Sequence, residues 1–263
     1  MTLHSLPPPV CPPPHDLLAS KTVVITAAAG TGIGFATARR CVEEGARVLL
    51  SDTHERRLAQ AVEELSANGN SMVIGKRCDV TSEEDVRALF ATAIDAFGHV
   101  DVVINNAGLG GYAKLVDMDD AQWQRVLDVT LTGTMRMTRA AFAHMLPRRI
   151  GSIVNNASVL GWRAQEGQSH YAAAKAGVMA LTRCSAAEAA SSGVRVNAVA
   201  PSLAMHPHLA KVTPDGLLRE LEAREAFGRA AEPWEVANVI VFLASDLASY
   251  MTGEVLSVSS QHA

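Results

Sequence analysis

Tyr171 and Lys175 stand four residues apart in Tyr171-Ala-Ala-Ala-Lys175. On a helix that spacing stacks them on one face. A cation beside a phenol favours the ionised form and lowers a pKa that starts near ~10. A tyrosine tuned in that way passes a proton to or from an alcohol near neutral pH. Ser158 lies earlier in the chain, just past an apolar run that reads as a strand, and its hydroxyl can hold the reacting oxygen. A Tyr-x-x-x-Lys pair also arises easily by chance, as two surface residues sharing a helix face. The elements around it must decide.

Lys21-Thr-Val-Val-Ile-Thr26 reads as a strand and is followed by Ala27-Ala-Ala-Gly30-Thr31-Gly32-Ile33-Gly34. A helical pattern runs from Phe35 to Glu44, Gly45 ends it, and Arg47-Val-Leu-Leu-Ser51 is the next strand, closed by Asp52. A glycine-rich turn between strand and helix brings backbone N–H groups to a pyrophosphate at the helix N-terminus. An acid at Asp52 accepts hydrogen bonds from an adenosine ribose and repels a 2′-phosphate. With no base in the loop, this favours NAD over NADP, although Arg56 and Arg57 follow closely in sequence.

Met72 to Cys78 reads as a third strand, ending at Asp79, and Thr81-Ser-Glu-Glu84 as a capping box that opens a helix towards Phe97. Val100 to Asn105 is a fourth strand, followed by Asn106-Ala107-Gly108. Strands alternating with helices predict a doubly wound parallel sheet with right-handed crossovers. Asp79, Asn105 to Gly108 and Ser158 fall at the carboxyl ends of strands, the rim where ligands bind in such sheets.

Bulk properties agree with one α/β domain. The chain has 263 residues, 48% of them hydrophobic, enough for a large core. A net charge of −4 with no basic run argues against nucleic acid, and no apolar window is long enough to span a membrane. Cys11, Cys41, Cys78 and Cys184 are scattered, which reads as reduced thiols in the cytoplasm. The histidines form no ligand pattern, so no metal is expected. Residues 1–20 hold six of the eleven prolines and read as a disordered or surface-laid arm, with a ligand for a proline-recognition module as the alternative; residues 21–263 form the domain.

Taken together, the chain resembles the short-chain dehydrogenase/reductase family over roughly residues 20–260. The markers appear in order: Gly30-x-Gly32-x-Gly34, Asp52, Cys78-Asp79-Val80, Asn105-Asn106-Ala107-Gly108, Ser158, Tyr171-x-x-x-Lys175 and Arg195-Val-Asn-Ala-Val-Ala-Pro201. The resemblance implies a single-domain Rossmann fold with a seven-stranded parallel sheet flanked by helices. It also implies hydride transfer with a nicotinamide, and usually a homotetramer. By resemblance, Tyr171 is the general acid/base, Lys175 lowers its pKa and binds the nicotinamide ribose, and Ser158 orients the substrate oxygen. Asp79 and Val80 hold the adenine, and Asn106, Ala107 and Gly108 lie along the cofactor, with Gly30, Thr31, Gly32, Ile33, Gly34, Asp52 and Pro201 completing its site.

Four positions depart from the family pattern. Ala27-Ala28 replaces Thr-Gly, so Ala28 must adopt a backbone conformation that tolerates a Cβ. The family's fourth catalytic residue, an Asn that helps a water reach the lysine partly through its backbone carbonyl, aligns with Thr130, which keeps a carbonyl and a hydroxyl for such a relay; the other reading is that its hydroxyl bonds the preceding turn. Pro201-Ser202 and His206 stand where Pro-Gly and a carboxamide-binding Thr are usual. Ser259-Ser260-Gln261 replaces Asp-Gly-Gly, a change expected to concern subunit packing.

The substrate side is expected to be walled by Leu109 to Val116, Leu160 to His170 and Leu203 to Arg229, with a helix over Leu217 to Glu225. Leu109, Tyr112, Leu160, Trp162, Leu203 and Met205 make these walls apolar, and Arg163 either meets an anionic group or is solvated. The sequence therefore reads as an NAD-dependent oxidoreductase of a bulky secondary alcohol or ketone, alicyclic, steroid-derived or acyl-CoA-linked. The departures resemble a branch of the family associated with bacterial breakdown of steroids and related CoA thioesters. A nucleotide-binding sensor without catalysis, and an epimerase or dehydratase, are the competing classes.

Overall fold

A computed structural model describes residues 6–67, 73–205 and 215–260 of the chain. Met72, His206 and Gln261 lie outside the described residues, and so do the readings that rest on them.

Seven strands carry the fold: β1 (Thr22–Ile25), β2 (Arg47–Asp52), β3 (Val73–Arg77), β4 (Val102–Asn105), β5 (Gly151–Asn156), β6 (Val194–Pro201) and β7 (Val255–Val258). They form one sheet in the order β3-β2-β1-β4-β5-β6-β7, and every neighbouring pair is parallel. Parallel strands need helical crossovers, and the helices bury both faces of the sheet. Hence β1 and β4 are buried along their whole length and read as unbroken apolar runs.

The crossovers use α1 (Ile33–Glu43), α2 (Glu55–Ser66), α3 (Glu83–Phe97), α4 (Asp120–Leu127), α5 (Gly133–Arg148), α6 (Ser169–Ala189), α7 (Asp215–Ala223) and α8 (Pro233–Ala244). Successive strand residues point to opposite faces. Val23 and Ile25 pack with Phe35, Leu58 and Ile240 from α1, α2 and α8. Val24 packs on the other side with Leu89, Met137 and Ala186 from α3, α5 and α6. Ile240 and Leu243 are fully buried, so truncating either to Ala would cost about 2–5 kcal/mol.

Several element ends differ from the sequence reading for identifiable reasons. Helix α3 is capped by Ser82, whose Oγ accepts from Asp85 N at 3.1 Å, one residue later than the expected box. Thr81 is committed to Asp79 instead, donating to it through both N and Oγ1. Between α4 and α5 the chain runs through a π-helical segment, Asp128–Thr132. The lid-side helix begins and ends two residues earlier than expected. Pro233 does open α8, where its missing N–H leaves no donor unpaired.

Residues 6–14 carry no regular structure and lie on the surface. Prolines lack an N–H, so such a segment can offer mainly carbonyls. Arg40 matches this, donating to Pro12 O at 2.8 Å and Pro13 O at 3.0 Å. The buried Glu44 accepts from His15 N and Leu17 N, both at 2.9 Å, and pairs with Arg40. At its far end the arm reaches the lid side, where Leu6 N donates to Phe227 O at 3.0 Å.

Candidate active site

The strand order reverses between β1 and β4, and the crevice beyond their carboxyl ends is the expected ligand site. A cleft of about 1560 Å³ opens there. That exceeds the ~300–1,000 Å³ of an ordinary small-molecule pocket and leaves room for a dinucleotide with a second ligand. Gly30, Thr31, Gly32, Ile33 and Gly34 line one end, with Asp52, Asp79 and Val80 beside them. Asn106, Ala107, Gly108, Ser158, Tyr171, Lys175 and Pro201 line the rest.

Helix α1 starts at Gly32 without a side-chain cap, so its first N–H groups face the cleft unfilled. At Gly34 a Cβ would fall 2.3 Å from Ala27 O and 2.4 Å from Asn106 Nδ2, so only glycine lets this turn close. The loop's left-handed alanine is Ala27, with φ +51°, while Ala28 keeps a conformation that tolerates its Cβ, as expected. Ala28 is held conventionally, buried, with its N–H donated to Ser51 O at 2.9 Å.

Asp52 closes β2 with its carboxylate at the cleft. It accepts from His54 N at 2.9 Å and from Ala29 N at 3.3 Å, which ties it to the glycine-rich turn. Arg57 approaches it to 3.9 Å and also lines the cleft. Asp79 lines the same cleft. Its hydrogen bond from Thr81 N, aided by the Thr81 hydroxyl, holds its carboxyl below the usual range against the opposing effect of burial.

Beneath the cleft two Asn pairs bridge β4 and β5. Asn105 Nδ2 donates to Asn155 Oδ1 at 2.8 Å, and Asn155 Nδ2 to Thr182 Oγ1 at 2.9 Å. Asn156 Nδ2 donates to Asn106 Oδ1 at 2.9 Å, and Asn106 Nδ2 to Thr26 O and Ala27 O. These amides lock the two strand ends and the first loop into one rigid floor.

On that floor stand Ser158, Tyr171 and Lys175. Ser158 caps a short 3-10 turn, its Oγ accepting from Leu160 N at 3.2 Å. It is also the hydrogen-bond partner of the Tyr171 phenol. Tyr171 and Lys175 lie on the first turns of α6, with Lys175 Nζ over the tyrosine ring, 5.5 Å from its centre. Lys175 is buried and donates to Asn156 O. Burial pushes the Tyr171 phenol up to about 12, while the Ser158 hydrogen bond works in the opposite direction. Burial lowers Lys175 to about 8. Desolvation thus outweighs the simple lowering of the phenol expected from sequence, since it opposes charge on both groups.

Thr130 is fully buried in the π-helical segment and does not line the cleft. Its Oγ1 accepts from Leu109 N at 3.0 Å and donates to Leu109 O at 3.2 Å. Its carbonyl accepts from Thr134 Oγ1 at 2.8 Å. The hydroxyl therefore bonds neither the preceding turn nor a relay; it pins the loop that follows β4.

The walls are partly as expected. Leu109 and Leu203 line the cleft, whereas Trp162, Arg163 and Met205 do not; Trp162 is half exposed. Tyr112 instead packs on Gly167, where a Cβ would sit 2.3 Å from the ring, and Ala113 N donates to Gly167 O at 3.0 Å. The loops after β4 and β5 are thereby stitched together above the cleft, with Lys114 and Glu166 paired at 3.3 Å. Gly110, Gly111 and Gln168 line the cleft from within the expected walls, whereas sequence reasoning missed Asn156 as a cleft residue. An isolated polar residue at a strand end gave no pattern to notice.

A family model described as enoyl-(acyl carrier protein) reductase matches residues 27–260. The chain belongs to the short-chain dehydrogenase/reductase family. A relative from Mycobacterium tuberculosis, (5R,7aS)-5-hydroxy-7a-methyl-1-oxo-2,3,5,6,7,7a-hexahydro-1H-indene-carboxyl-CoA reductase, is 61% identical over 249 residues, 94% of this chain and 95% of that one. Cis-4-hydroxycyclohexanecarboxylate dehydrogenase of Sinomonas cyclohexanicum is 42% identical over 244 residues, 92% of this chain and 96% of that one. The crystal structure of a short chain dehydrogenase from Mycobacterium smegmatis superposes with a TM-score of 0.87 at 57% identity, covering 97% and 98% of the two chains.

Short-chain dehydrogenases/reductases use a nicotinamide dinucleotide, NAD or NADP, and the residues fit one. The uncapped α1 N-terminus, the closed turn at Gly34 and the size of the cleft suit a pyrophosphate-bridged ligand. No cluster of metal-ligating side chains occurs among the described residues. No described helix is long and apolar enough to cross a membrane.

Proposed function

We propose that this protein is an NAD(H)-dependent oxidoreductase that interconverts a secondary alcohol and a ketone on a bulky alicyclic ring, one bearing a carboxylate or a CoA thioester. The observation that carries the reading is the meeting of Ser158, Tyr171 and Lys175 in the cleft that also holds the glycine-rich turn and Asp52. Two relatives named for ring-borne hydroxyl or keto groups support the substrate class.

In this reading a nicotinamide, when bound, would supply the hydride acceptor or donor. Ser158 holds the substrate oxygen by a hydrogen bond throughout. In oxidation the ionised Tyr171 takes the hydroxyl proton; in reduction the neutral phenol returns one. Lys175 sits over the tyrosine ring and favours the phenolate through its charge, and its remaining N–H groups would hold the cofactor ribose. Gly30 to Gly34 receive the pyrophosphate, Asp79 and Val80 the adenine. Asp52 selects NAD by accepting from the ribose hydroxyls and repelling a 2′-phosphate.

The free thiols of Cys11, Cys41, Cys78 and Cys184 suit a reducing cytoplasm, and we place the protein there as a homo-oligomer. The test of function is absorbance at the reduced-nicotinamide band with NAD and cis-4-hydroxycyclohexanecarboxylate, and with cyclic ketones carrying carboxyl or CoA-thioester groups. Turnover of a ring alcohol or ketone that the Tyr171→Phe variant lacks supports the reading. No turnover of any of them with NAD or NADP would overturn it.

A further inference from the structure

Asn156 ends β5 and faces the cleft between Asn106 and Lys175. Its amide orientation follows from its neighbours. Asn106 Nδ2 donates to two backbone carbonyls, Thr26 O at 3.2 Å and Ala27 O at 3.0 Å. A carbonyl cannot donate, so Asn106 must turn its nitrogen to them and its Oδ1 the other way. That Oδ1 accepts from Asn156 Nδ2. Asn156 Oδ1 is then left over, and it is buried with no partner among the described residues. A buried acceptor without a donor is uncommon and calls for one.

The same residue's main-chain carbonyl accepts the hydrogen bond of Lys175. Thr130, at the position where the sequence pattern expects a fourth polar participant, has spent its hydroxyl on Leu109. We propose that Asn156 is a positioning residue of the site, holding Lys175 by its carbonyl and offering Oδ1 to a hydrogen-bond donor on the nicotinamide nucleoside. This rests on reading the cleft as a nicotinamide dinucleotide site. The Asn106 contact fixes the orientation of the amide, and the floor beneath keeps the carbonyl under the ammonium.

Asn156→Val tests it, because Val suits a buried parallel strand and deletes the amide while leaving the backbone carbonyl. NADH, or NADPH if the wild type binds it better, is titrated by its fluorescence, and ADP by calorimetry. The expected result is binding of the reduced dinucleotide weakened by about tenfold, as loss of one hydrogen bond to a buried group implies. ADP lacks the nicotinamide nucleoside and should bind both proteins alike. Asn156→Thr, with a hydroxyl that can donate to Asn106 Oδ1, should recover part of the loss. If Asn156→Val does not fold, the same contrast between reduced dinucleotide and ADP is required of Asn156→Thr. Unchanged dinucleotide affinity overturns the proposal, and so does an equal loss for ADP. A wild-type protein that binds neither NADH nor NADPH would instead remove the cofactor reading on which it stands.

Discussion

Lys175 Nζ lies over the face of Tyr171, 5.5 Å from the ring centre, and gives its hydrogen bond to the carbonyl of Asn156. The ammonium therefore acts on the phenol through space, across the ring, and its position is set by β5. Burial raises Tyr171 and lowers Lys175, so two titrations that nearly coincide in water are driven apart, with the lysine's falling below the phenol's.

Tyr171→Phe removes the proton carrier but keeps the ring on which Lys175 lies. General acid–base groups contribute roughly 10²–10⁴ in rate, and kcat should fall by that order in both directions. NADH binding, followed by fluorescence, should stay near the wild-type value. The wild-type pH profile follows from the raised phenol. Oxidation needs the phenolate, so its rate should climb with pH across the neutral and alkaline range. Reduction needs the neutral phenol and should stay flat there, falling only as pH nears the phenol's own titration. A near-normal kcat in Tyr171→Phe would remove Tyr171 from the mechanism.

Asp52→Asn addresses cofactor choice. The carboxylate is fixed by His54 N and Ala29 N, and Arg57 waits 3.9 Å away. Removing the charge ends repulsion of a 2′-phosphate and frees Arg57 to meet one. The ratio of kcat/KM for NAD over NADP should drop by about tenfold or more, the scale of one charge-assisted contact. An unchanged ratio would mean that Asp52 does not face the ribose.

Gly34→Ala should damage the cofactor turn directly. The new methyl would meet Ala27 O and the Asn106 amide well inside contact distance, and backbone cannot swing aside as a flexible side chain can. Overpacking of this kind costs about 1–3 kcal/mol. Urea unfolding should show that loss, and NADH titration a weakened complex. Gly30→Ala is the useful contrast: a Cβ there meets nothing within 4 Å, so its cost comes from the backbone φ of +121° alone.

What the sequence revealed and what it hid divide along physical lines. Unbroken apolar runs such as Val102 to Ile104 announced buried parallel strands, and the polar residues at their ends fell on one rim. The glycine turn, Asp52, Ser158, Tyr171 and Lys175 were legible because each has a fixed residue type at a fixed place relative to a strand or helix. Thr130 was misread because its partner, Leu109, is adjacent only after α4 and α5 fold over the loop. The left-handed backbone of Ala27 left no mark in the sequence, since only the tertiary bond from Ala28 N to Ser51 O shows where the chain must turn. Desolvation of Tyr171 and Lys175 could not be read from spacing at all, because it depends on everything packed around them.

Lys175→Met offers a check on that desolvation through stability. Met is unbranched like Lys and fills a similar space. In the folded protein burial lowers Lys175 from 10.5 to about 8. Between those values the unfolded chain binds more protons than the folded one, so the contribution of this group to stability rises with pH across that window. Below about 8 the lysine is charged in both states and imposes its full burial cost. Lys175→Met should therefore be more stable than wild type at pH 7, by on the order of 3 kcal/mol. The gap should narrow as pH rises towards 10.5. Tyr171 titrates in both proteins, and its raised pKa, which lowers stability above pH 10, largely cancels from the difference. Urea unfolding of both proteins at neutral pH and at two alkaline values measures the gap. A gap that does not change with pH would show that Lys175 is not held with a lowered pKa, and the case for a desolvated lysine beneath Tyr171 would fall.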